Sequence, residues 1–361
     1  MHGKRSSWPG NCRLNRPSNR FSNLRISPRA GQPRLKKLEP DTTMRLFIRI
    51  IFLLFLLLGL QPGSRADSQA PARPKIGLAL GGGGAARGAA HIGVLRVLER
   101  EGVPIDFIAG TSMGAIVGGL YAAGLSLDQI EQMLRNKSLQ HAYDTVPIPV
   151  RFAAVPIFGL ARMLGHHPYD GLYRGNKFAN FITRSVPEER RLVQNAKIPF
   201  RAVAANLLDG KTVAISSGSL GRAIQASSAI PFFRRPVPLG DQLLIDGGTI
   251  CNLPTDQARA MGADLVIAVD VDERIEPVSP DTFRAIGSVS SRSLNMVLEK
   301  LDRPETKLAD IVIHPNVNGM RLMSRRVKEA VRAIHEGEKA AEESLPRIRE
   351  RLSEQAAVSG R

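Results

Sequence analysis

A G-x-S-x-G pentapeptide at Gly110–Gly114 constrains the fold of this chain more than any other feature. The apolar run 105–109 before it is typical of a buried parallel strand, and the small-residue run 115–123 after it favours a helix. In such a context the motif is a nucleophile elbow, in which Ser112 sits on a sharp turn and the flanking glycines keep Cβ atoms away from the helix and the neighbouring backbone. The alternative is an ordinary glycine-rich turn between a strand and a helix.

The positive charge of the chain is concentrated near its amino terminus. The 361 residues carry a formal net charge of +17, but residues 1–66 hold 13 Lys/Arg and 2 Asp/Glu, a net +11, which leaves +6 for residues 67–361. Most of the excess therefore belongs to a basic leader, and we do not infer nucleic-acid binding. The remainder is compatible with a weak attraction to anionic lipid surfaces.

Two kinds of sequence precede the folded part of the chain. Residues 1–43 are rich in Arg, Pro, Ser and Asn, which predicts a disordered leader. Residues 44–66 combine a basic start, an apolar run from Ile50 to Leu60 and a small-x-small ending, which is typical of a secretory signal peptide. We expect translation to start at Met44 and the protein to be exported to a bacterial periplasm or envelope. The alternative is a membrane anchor formed by residues 46–60.

The remaining sequence predicts a linker at 67–74, one α/β domain at 75–315 and a helical extension at 316–361. Strand, glycine loop, helix, strand, elbow and helix follow one another after Pro74, and this order implies a parallel sheet. The expected strands are 75–80, 105–109, 199–206, 211–216, 242–245, 264–270 and 310–314. One expected helix follows the glycine loop and ends near Glu101. The other expected helices span 115–123, 126–135, 171–184, 219–227, 253–262, 282–301 and 325–353.

One segment of the predicted domain and one of the predicted extension invite a specific interpretation. Residues 138–170 show the least regular pattern and many apolar side chains, which indicates either a packed loop or a flap that contacts a membrane. The helix predicted at 325–353 is charged along most of its length, and we expect a solvated outer helix.

No spacing of metal ligands occurs in the sequence, and Cys251 is the only cysteine after the leader. We therefore expect no cofactor and no metal.

A glycine loop, Gly81 to Gly84, directly follows the first predicted strand. A dinucleotide-binding fingerprint has a similar beginning, but the next strand should then end in an acidic residue, and here it ends in the elbow. Consecutive N–H groups of such a loop can instead bind an oxyanion, as acyl transfer requires.

A second polar group of residues follows the strand at 242–245. Asp246, with Gly247 and Gly248 behind it, stands where active sites of parallel α/β sheets gather, although an Asp-Gly turn is the simpler alternative. Ser112, Asp246 and His314 occur in the chain order of a hydrolase triad. We expect His91, on the first helix, to be structural.

Four blocks of this sequence resemble the patatin-like phospholipase family, in the bacterial branch related to neuropathy-target-esterase-type proteins. The resemblance covers roughly residues 75–315, and its blocks are GLALGGGGAARGAAHIGVL at Gly77–Leu95, the elbow Gly110–Gly114, ASSAIP at Ala226–Pro231, and Asp246-Gly247-Gly248. It implies a patatin-like three-layer architecture with a central, parallel-type sheet between helices.

The resemblance also implies a Ser–Asp dyad, with Ser112 as nucleophile and Asp246 as base. The N–H groups of Gly82, Gly83 and Gly84, with Arg87 nearby, would form the oxyanion hole. The glycine loop is one residue longer than the common family pattern, which leaves the donating pair of glycines open. The implied substrates are phospholipids or lysophospholipids. The alternatives are a carboxylesterase with the His314 triad and a non-catalytic lipid-binding envelope protein.

Overall fold

An eight-stranded sheet lies at the centre of the computed structural model, which describes residues 73–144, 165, 169–322 and 324–359. Its strands, numbered β1 to β8 in chain order, are Ile76–Leu80, Phe107–Thr111, Phe200–Asn206, Thr212–Ile215, Val237–Leu239, Gln242–Asp246, Leu265–Val269 and Ile311–Ile313. The hydrogen-bonded path runs β5-β6-β3-β2-β1-β7-β8, and β4 also pairs with β3.

The helices of the described ranges lie around this sheet. Numbered α1 to α10 in chain order, they are Gly84–Arg87, Ala90–Arg100, Met113–Ala122, Leu127–Arg135, Ser138–Tyr143, Asn176–Ser185, Leu220–Ser227, Thr255–Arg259, Ser288–Leu308 and Val327–Ser359. Ser126 caps α4 in a reciprocal capping box with Gln129, as its place before the apolar pattern predicts. None of these helices is long and apolar enough to cross a membrane.

Alternate side chains of β1 belong to two apolar clusters, one on each face of the sheet. Leu78 and Leu80 lie in the larger cluster, which includes residues of α2, α3 and α10, whereas Ala79 lies in the smaller one with Ala258 of α8. Successive side chains of a strand point to opposite faces, so helices cover the sheet on both sides. The fold is therefore α/β with three layers, as expected.

The sheet has the expected parallel type over five strands, and three further strands join it in antiparallel pairs, which makes it mixed. Strands β1, β2, β3, β7 and β8 run parallel to one another, but β3 pairs antiparallel with both β4 and β6. Strand β5, which no sequence pattern predicts, pairs antiparallel with β6. The connection between β5 and β6 is short, so these two strands form a hairpin instead of a parallel crossover.

The pairing of β3 brings two strand ends together. Its residue Val203 pairs with Thr111 of β2 and with Ala214 of β4, while Ala204 pairs with Asp246 of β6 and also with β4. Because β4 occupies one edge of β3, β2 and β6 share the other edge and approach each other from opposite directions. Their carboxyl ends meet one residue apart, which places the residues after β2 beside the end of β6.

The carboxyl-terminal helix α10 is packed along one side, so the expectation of a solvated outer helix is wrong. Its buried residues include Ala333, Ala341 and Ile348. A Cβ added to Gly93 of α2 would collide with backbone of α10, and one added to Gly337 would collide with backbone of α2. Small residues therefore let the two helices approach closely, a feature that the many charges on the other side obscure in the sequence.

Other differences from the expectations are local. The helix expected at 171–184 begins at Asn176, after Gly175 with a left-handed φ of 81°. Ser138–Tyr143 forms a helix within the segment 138–170, but most of that segment, like residues 1–72, lies outside the described residues. The flap, the leader, the signal peptide and the linker therefore stay predictions.

Candidate active site

Ser112 sits in a strained turn between β2 and α3. Its φ of 53° and ψ of −116° lie outside the regions that side chains normally adopt, and such strain persists only where the surroundings enforce it. A Cβ on Gly114 would collide with the Leu80 carbonyl oxygen, and one on Gly110 would lie 2.5 Å from the Gly114 carbonyl oxygen. Both glycines of the motif are therefore required by close backbone approach, and the turn is an elbow.

The elbow presents the serine hydroxyl to an aspartate. Ser112 Oγ donates a hydrogen bond of 2.7 Å to Oδ2 of Asp246, at the carboxyl end of β6. The other oxygen, Oδ1, accepts the N–H of Gly248 at 2.8 Å, which fixes the orientation of the carboxylate. Gly247 lies so close to the Val203 carbonyl that a side chain would not fit. The structure thus brings the predicted pair together and shows why the first glycine of the Asp-Gly-Gly motif has no side chain.

The carboxyl group of Asp246 is less acidic than usual. Burial raises the pKa of Asp246 to about 6, while the hydrogen bonds from the Gly248 N–H and the Ser112 hydroxyl act in the opposite direction. A carboxylate with this pKa is ionised at neutral pH and is a stronger proton acceptor than an exposed aspartate. It can therefore accept the proton of Ser112 as the serine attacks.

Two neighbouring hydroxyl groups hold the backbone of the elbow. Ser227 Oγ accepts the N–H of Ser112 at 3.0 Å and donates to the Val203 carbonyl oxygen at 2.6 Å. Thr111 Oγ1 donates to the carbonyl oxygen of Cys251 at 2.9 Å. Ser227 belongs to the ASSAIP block, so the structure gives this block a positioning role that the sequence alone does not reveal.

Two of the three N–H groups predicted to bind the oxyanion are available for this role. The N–H of Gly82 donates to the carbonyl oxygen of Asn252 at 3.0 Å, so its inclusion among the donors is corrected. The N–H groups of Gly83 and Gly84 have no acceptor among the described residues, and Gly84 lines the same cavity as Ser112. This pair can donate to a negatively charged oxygen formed beside Ser112.

Arg87 is a structural anchor, which corrects its expected place beside the oxyanion hole. Its side chain is 1% exposed and donates to the Met320 carbonyl oxygen at 2.6 Å. It also donates to Asn295 at 3.1 Å and forms an ion pair of 2.9 Å with Glu273. The guanidinium is therefore bonded to three partners, and these bonds link the glycine loop to α9 and to the chain before α10.

Neither histidine that the sequence singles out contacts the dyad. His314 Nδ1 lies 3.1 Å from Oδ2 of Asp270, and no hydrogen bond links it to Ser112 or Asp246 in the described ranges. His91 is buried, and its Nε2 is 2.8 Å from the Gly81 carbonyl oxygen. Burial lowers the pKa of His91 to about 4, so this ring is neutral and holds the glycine loop. The structure does not assemble the Ser112–Asp246–His314 triad.

A cavity opens beside Ser112. Its volume is about 100 Å³, and most of its wall is apolar. Its lining comes from the glycine loop, the elbow, α4, α5, the ASSAIP block and the start of α10, and includes Ala86, Met113, Ile116, Leu134, Leu139, Tyr143, Ile230, Leu322, Val327 and Ala330. The contribution of residues 322–330, from the predicted extension, has no signal in the sequence.

Asn252 is a further residue that sequence reasoning missed. Its carbonyl oxygen holds Gly82, and its side-chain amide donates to Asp302 at 2.7 Å and to Asp272 at 3.1 Å. Carboxylate oxygens of Asp270, Asp272 and Asp302 lie within 4.8 Å of one another, and burial raises the pKa of both Asp272 and Asp302. This acidic cluster contacts the glycine loop through Asn252, and none of its three residues lines the cavity.

Comparison with known proteins gives the site a family. The profile of the patatin-like phospholipase family matches residues 78–259, which is half of the chain. Patatin-like phospholipase domain-containing protein 6 of Homo sapiens is 35% identical over 205 residues, which are 56% of this chain and 14% of that protein. The corresponding protein 7 of Rattus norvegicus is 36% identical over 203 residues, with the same shares.

Bacterial proteins are also similar. An uncharacterized NTE family protein of Mycobacterium tuberculosis is 36% identical over 199 residues, 55% of this chain and 49% of that protein. The crystal structure of VipD from Legionella pneumophila matches with a TM-score of 0.42 and 14% identity, over 81% of this chain and 72% of VipD. The match thus spans at most about half the length of the curated relatives described here.

The matched range contains the glycine loop, the elbow, the ASSAIP block and the Asp-Gly-Gly motif. The same four features form one site in the structure, with Ser112 and Asp246 at its centre. The chain belongs to the patatin-like phospholipase family.

Proposed function

We propose that this protein is a serine acyl hydrolase that cleaves acyl esters of phospholipids or lysophospholipids. Ser112 attacks the ester carbonyl, and Asp246 accepts the serine proton and delivers it to the leaving alcohol. The acyl group is then held on Ser112. Asp246 next takes a proton from a water molecule as that water attacks the acyl-enzyme. It returns this proton to Ser112 Oγ as the acyl–oxygen bond breaks, which releases the fatty acid and regenerates the free serine. Gly83 and Gly84 donate to the oxygen that becomes negative in both steps.

The observation that carries this proposal is the hydrogen bond of 2.7 Å between Ser112 Oγ and Asp246 Oδ2 at the end of an apolar cavity. A hydroxyl aimed at a buried base is the arrangement of an activated nucleophile. The apolar wall fits an acyl chain, since burial of its methylene groups is favourable by about 0.8 kcal/mol each. Family membership supports a lipid ester as the substrate class.

The test is hydrolysis of a panel of phospholipids, lysophospholipids and short-chain esters by the purified protein, with Ser112→Ala as control. We expect release of fatty acid from lipid substrates and labelling of Ser112 by a fluorophosphonate probe, both absent in the variant. A protein that binds these lipids but neither hydrolyses them nor reacts with the probe would instead be the non-catalytic lipid-binding protein.

We also propose that the protein is exported and works in a bacterial periplasm or envelope. The support is the basic and apolar sequence at 44–66, which precedes the linker and the domain. Amino-terminal sequencing of the protein from fractionated cells tests this: a chain that begins at Asp67 in the periplasmic or envelope fraction agrees. Peptides from residues 1–43 in the exported protein would contradict it.

A further inference from the structure

An apolar protrusion extends from one edge of the sheet. Every residue from 276 to 287 is exposed, and so are several apolar residues at the start of α9. Phe283 is 36% exposed, Val289 60%, and Ile286 is completely exposed at 104%. Large apolar side chains concentrated in so short a stretch of surface indicate an interaction site, because their exposure to water is unfavourable. We call residues 276–297 the docking segment.

The docking segment leaves the sheet at the edge that carries the active site. Strand β7 runs parallel to β1, and β1 to β2, so the carboxyl ends of all three lie at one edge. The elbow follows β2, the glycine loop follows β1 and the docking segment follows β7. Asn295, within the segment, accepts a hydrogen bond from Arg87, which anchors the glycine loop. The apolar protrusion and the nucleophile therefore belong to the same side of the molecule.

Basic side chains accompany the apolar ones. The stretch 274–308 contains six Lys/Arg and five Asp/Glu, but Asp302 and Glu305 are buried, so three acidic residues remain at its surface. Along α9, Val289 and Met296 share one helix face with Lys300, Arg303 and Lys307, at helical spacings. A helix face with apolar residues at one end and basic residues beyond them is suited to the boundary between acyl chains and anionic headgroups.

A bilayer fits this surface better than a second copy of the chain. In a twofold symmetric dimer the same patch meets itself, so two surfaces with the same net positive charge would face each other. An anionic lipid surface instead complements these charges while it receives Phe283 and Ile286. The choice of lipid as the partner rests on the proposed function, since the substrate of such an enzyme resides in a bilayer.

We propose that the docking segment inserts Phe283, Ile286 and Val289 into the interface of an anionic lipid bilayer and so presents the active-site edge to its substrate. This membrane contact is separate from the one predicted for residues 138–170.

A local probe tests the proposal in the full chain. Ser290 is exposed, and Cys251 is buried, so Ser290→Cys in a background of Cys12→Ser and Ser112→Ala can carry a single environment-sensitive fluorophore. We expect a blue shift of its emission on vesicles of equal parts phosphatidylglycerol and phosphatidylcholine, and a smaller shift on phosphatidylcholine alone. If the protein binds vesicles while the fluorophore stays in an aqueous environment, another part of the chain docks and the proposal is wrong.

Variants give the second measurement. Replacing Phe283 and Ile286 together by Asp should weaken partitioning onto the anionic vesicles at least about tenfold, because two apolar side chains lose their burial in lipid. Leu308→Asp is the matched control, since Leu308 is 52% exposed at the carboxyl end of α9, about 30 Å from the start of that helix. Unchanged partitioning of the double variant contradicts the proposal. So does conversion of a dimer to a monomer by the double variant, in sedimentation, since the surface would then join two copies.

Failure of docking and failure of the proposed function are distinguishable. With the serine restored, the double variant should hydrolyse a soluble short-chain ester at the wild-type rate and lose activity only on vesicles. A wild-type protein that hydrolyses no ester, but whose probe shifts on vesicles, overturns the enzyme assignment and leaves docking in place. An active enzyme whose double variant keeps full activity on vesicles overturns docking alone.

Discussion

The Ser112 hydroxyl and the Asp246 carboxylate meet at the ends of two strands that approach each other along one edge of β3. Because Val203 pairs with the residue before Ser112 and Ala204 pairs with Asp246, a single register sets their separation. The dyad is therefore positioned by backbone hydrogen bonds in the middle of the sheet. The Gly248 N–H donates to Oδ1 of Asp246 at 2.8 Å and fixes the orientation of this carboxylate.

The pH dependence of ester hydrolysis should report the titration of Asp246. Burial raises the pKa of this carboxyl to about 6, and only its ionised form accepts the serine proton. The value of kcat/KM for a soluble ester should therefore rise with pH below about 6 and level off above it. A profile that is already flat from pH 4 upwards would show that Asp246 has an ordinary acidity or is not the base.

Gly84→Ala should impair catalysis far more than its backbone strain alone predicts. Gly84 has a φ of 64°, and an added Cβ would collide with the Leu322 carbonyl oxygen, which would displace a proposed oxyanion donor. Loss of one such donor lowers kcat about 10²–10³-fold. Gly102→Ala is the matched control, because Gly102 has a φ of 67° with open space around it. Equal activities of the two variants would argue against a role for Gly84 in catalysis.

Arg87→Met should destabilise the fold without removing a group from the reaction. The substitution leaves Glu273 and the Met320 carbonyl oxygen without their buried partner, and loss of one member of such a pair costs about 3–5 kcal/mol. Partial exposure of Glu273 places the expected loss at the lower end of this range. Urea unfolding measures it. A variant as stable as the wild type, but inactive, would restore Arg87 to the oxyanion hole.

Ser227→Ala should weaken the elbow. The variant leaves the buried N–H of Ser112 without an acceptor, which costs about 1–3 kcal/mol and releases the strained turn. We expect lower stability and a lower kcat on a soluble ester. The neighbouring Ser228→Ala removes a hydroxyl that follows α7 and donates to the Ile224 carbonyl oxygen, not to the elbow, and this variant should preserve kcat. Equal kcat values for the two variants would contradict a positioning role for Ser227.

Short sequence patterns predicted those parts of the site that are formed by neighbouring residues of the chain. The elbow, the glycine loop and the strand before Asp246 each follow from a short run of residues, and the family resemblance joined them into one dyad. The mixed pairing of β3 did not follow, since hydrogen bonding between distant strands leaves no local trace. Arg87 was misplaced for a related reason: its partners Glu273, Asn295 and Met320 lie more than 180 residues away. The packed side of α10 depends on glycines whose role emerges only from close helix contact.

The central claim is that Asp246, and no histidine, is the base for Ser112. Rates of hydrolysis of a soluble ester by Asp246→Asn and His314→Ala, with folding checked by circular dichroism, test it most directly. We expect Asp246→Asn to lower kcat about 10²–10⁴-fold and His314→Ala to leave it within about threefold of the wild type. An active Asp246→Asn variant, or an inactive but folded His314→Ala variant, would contradict the dyad.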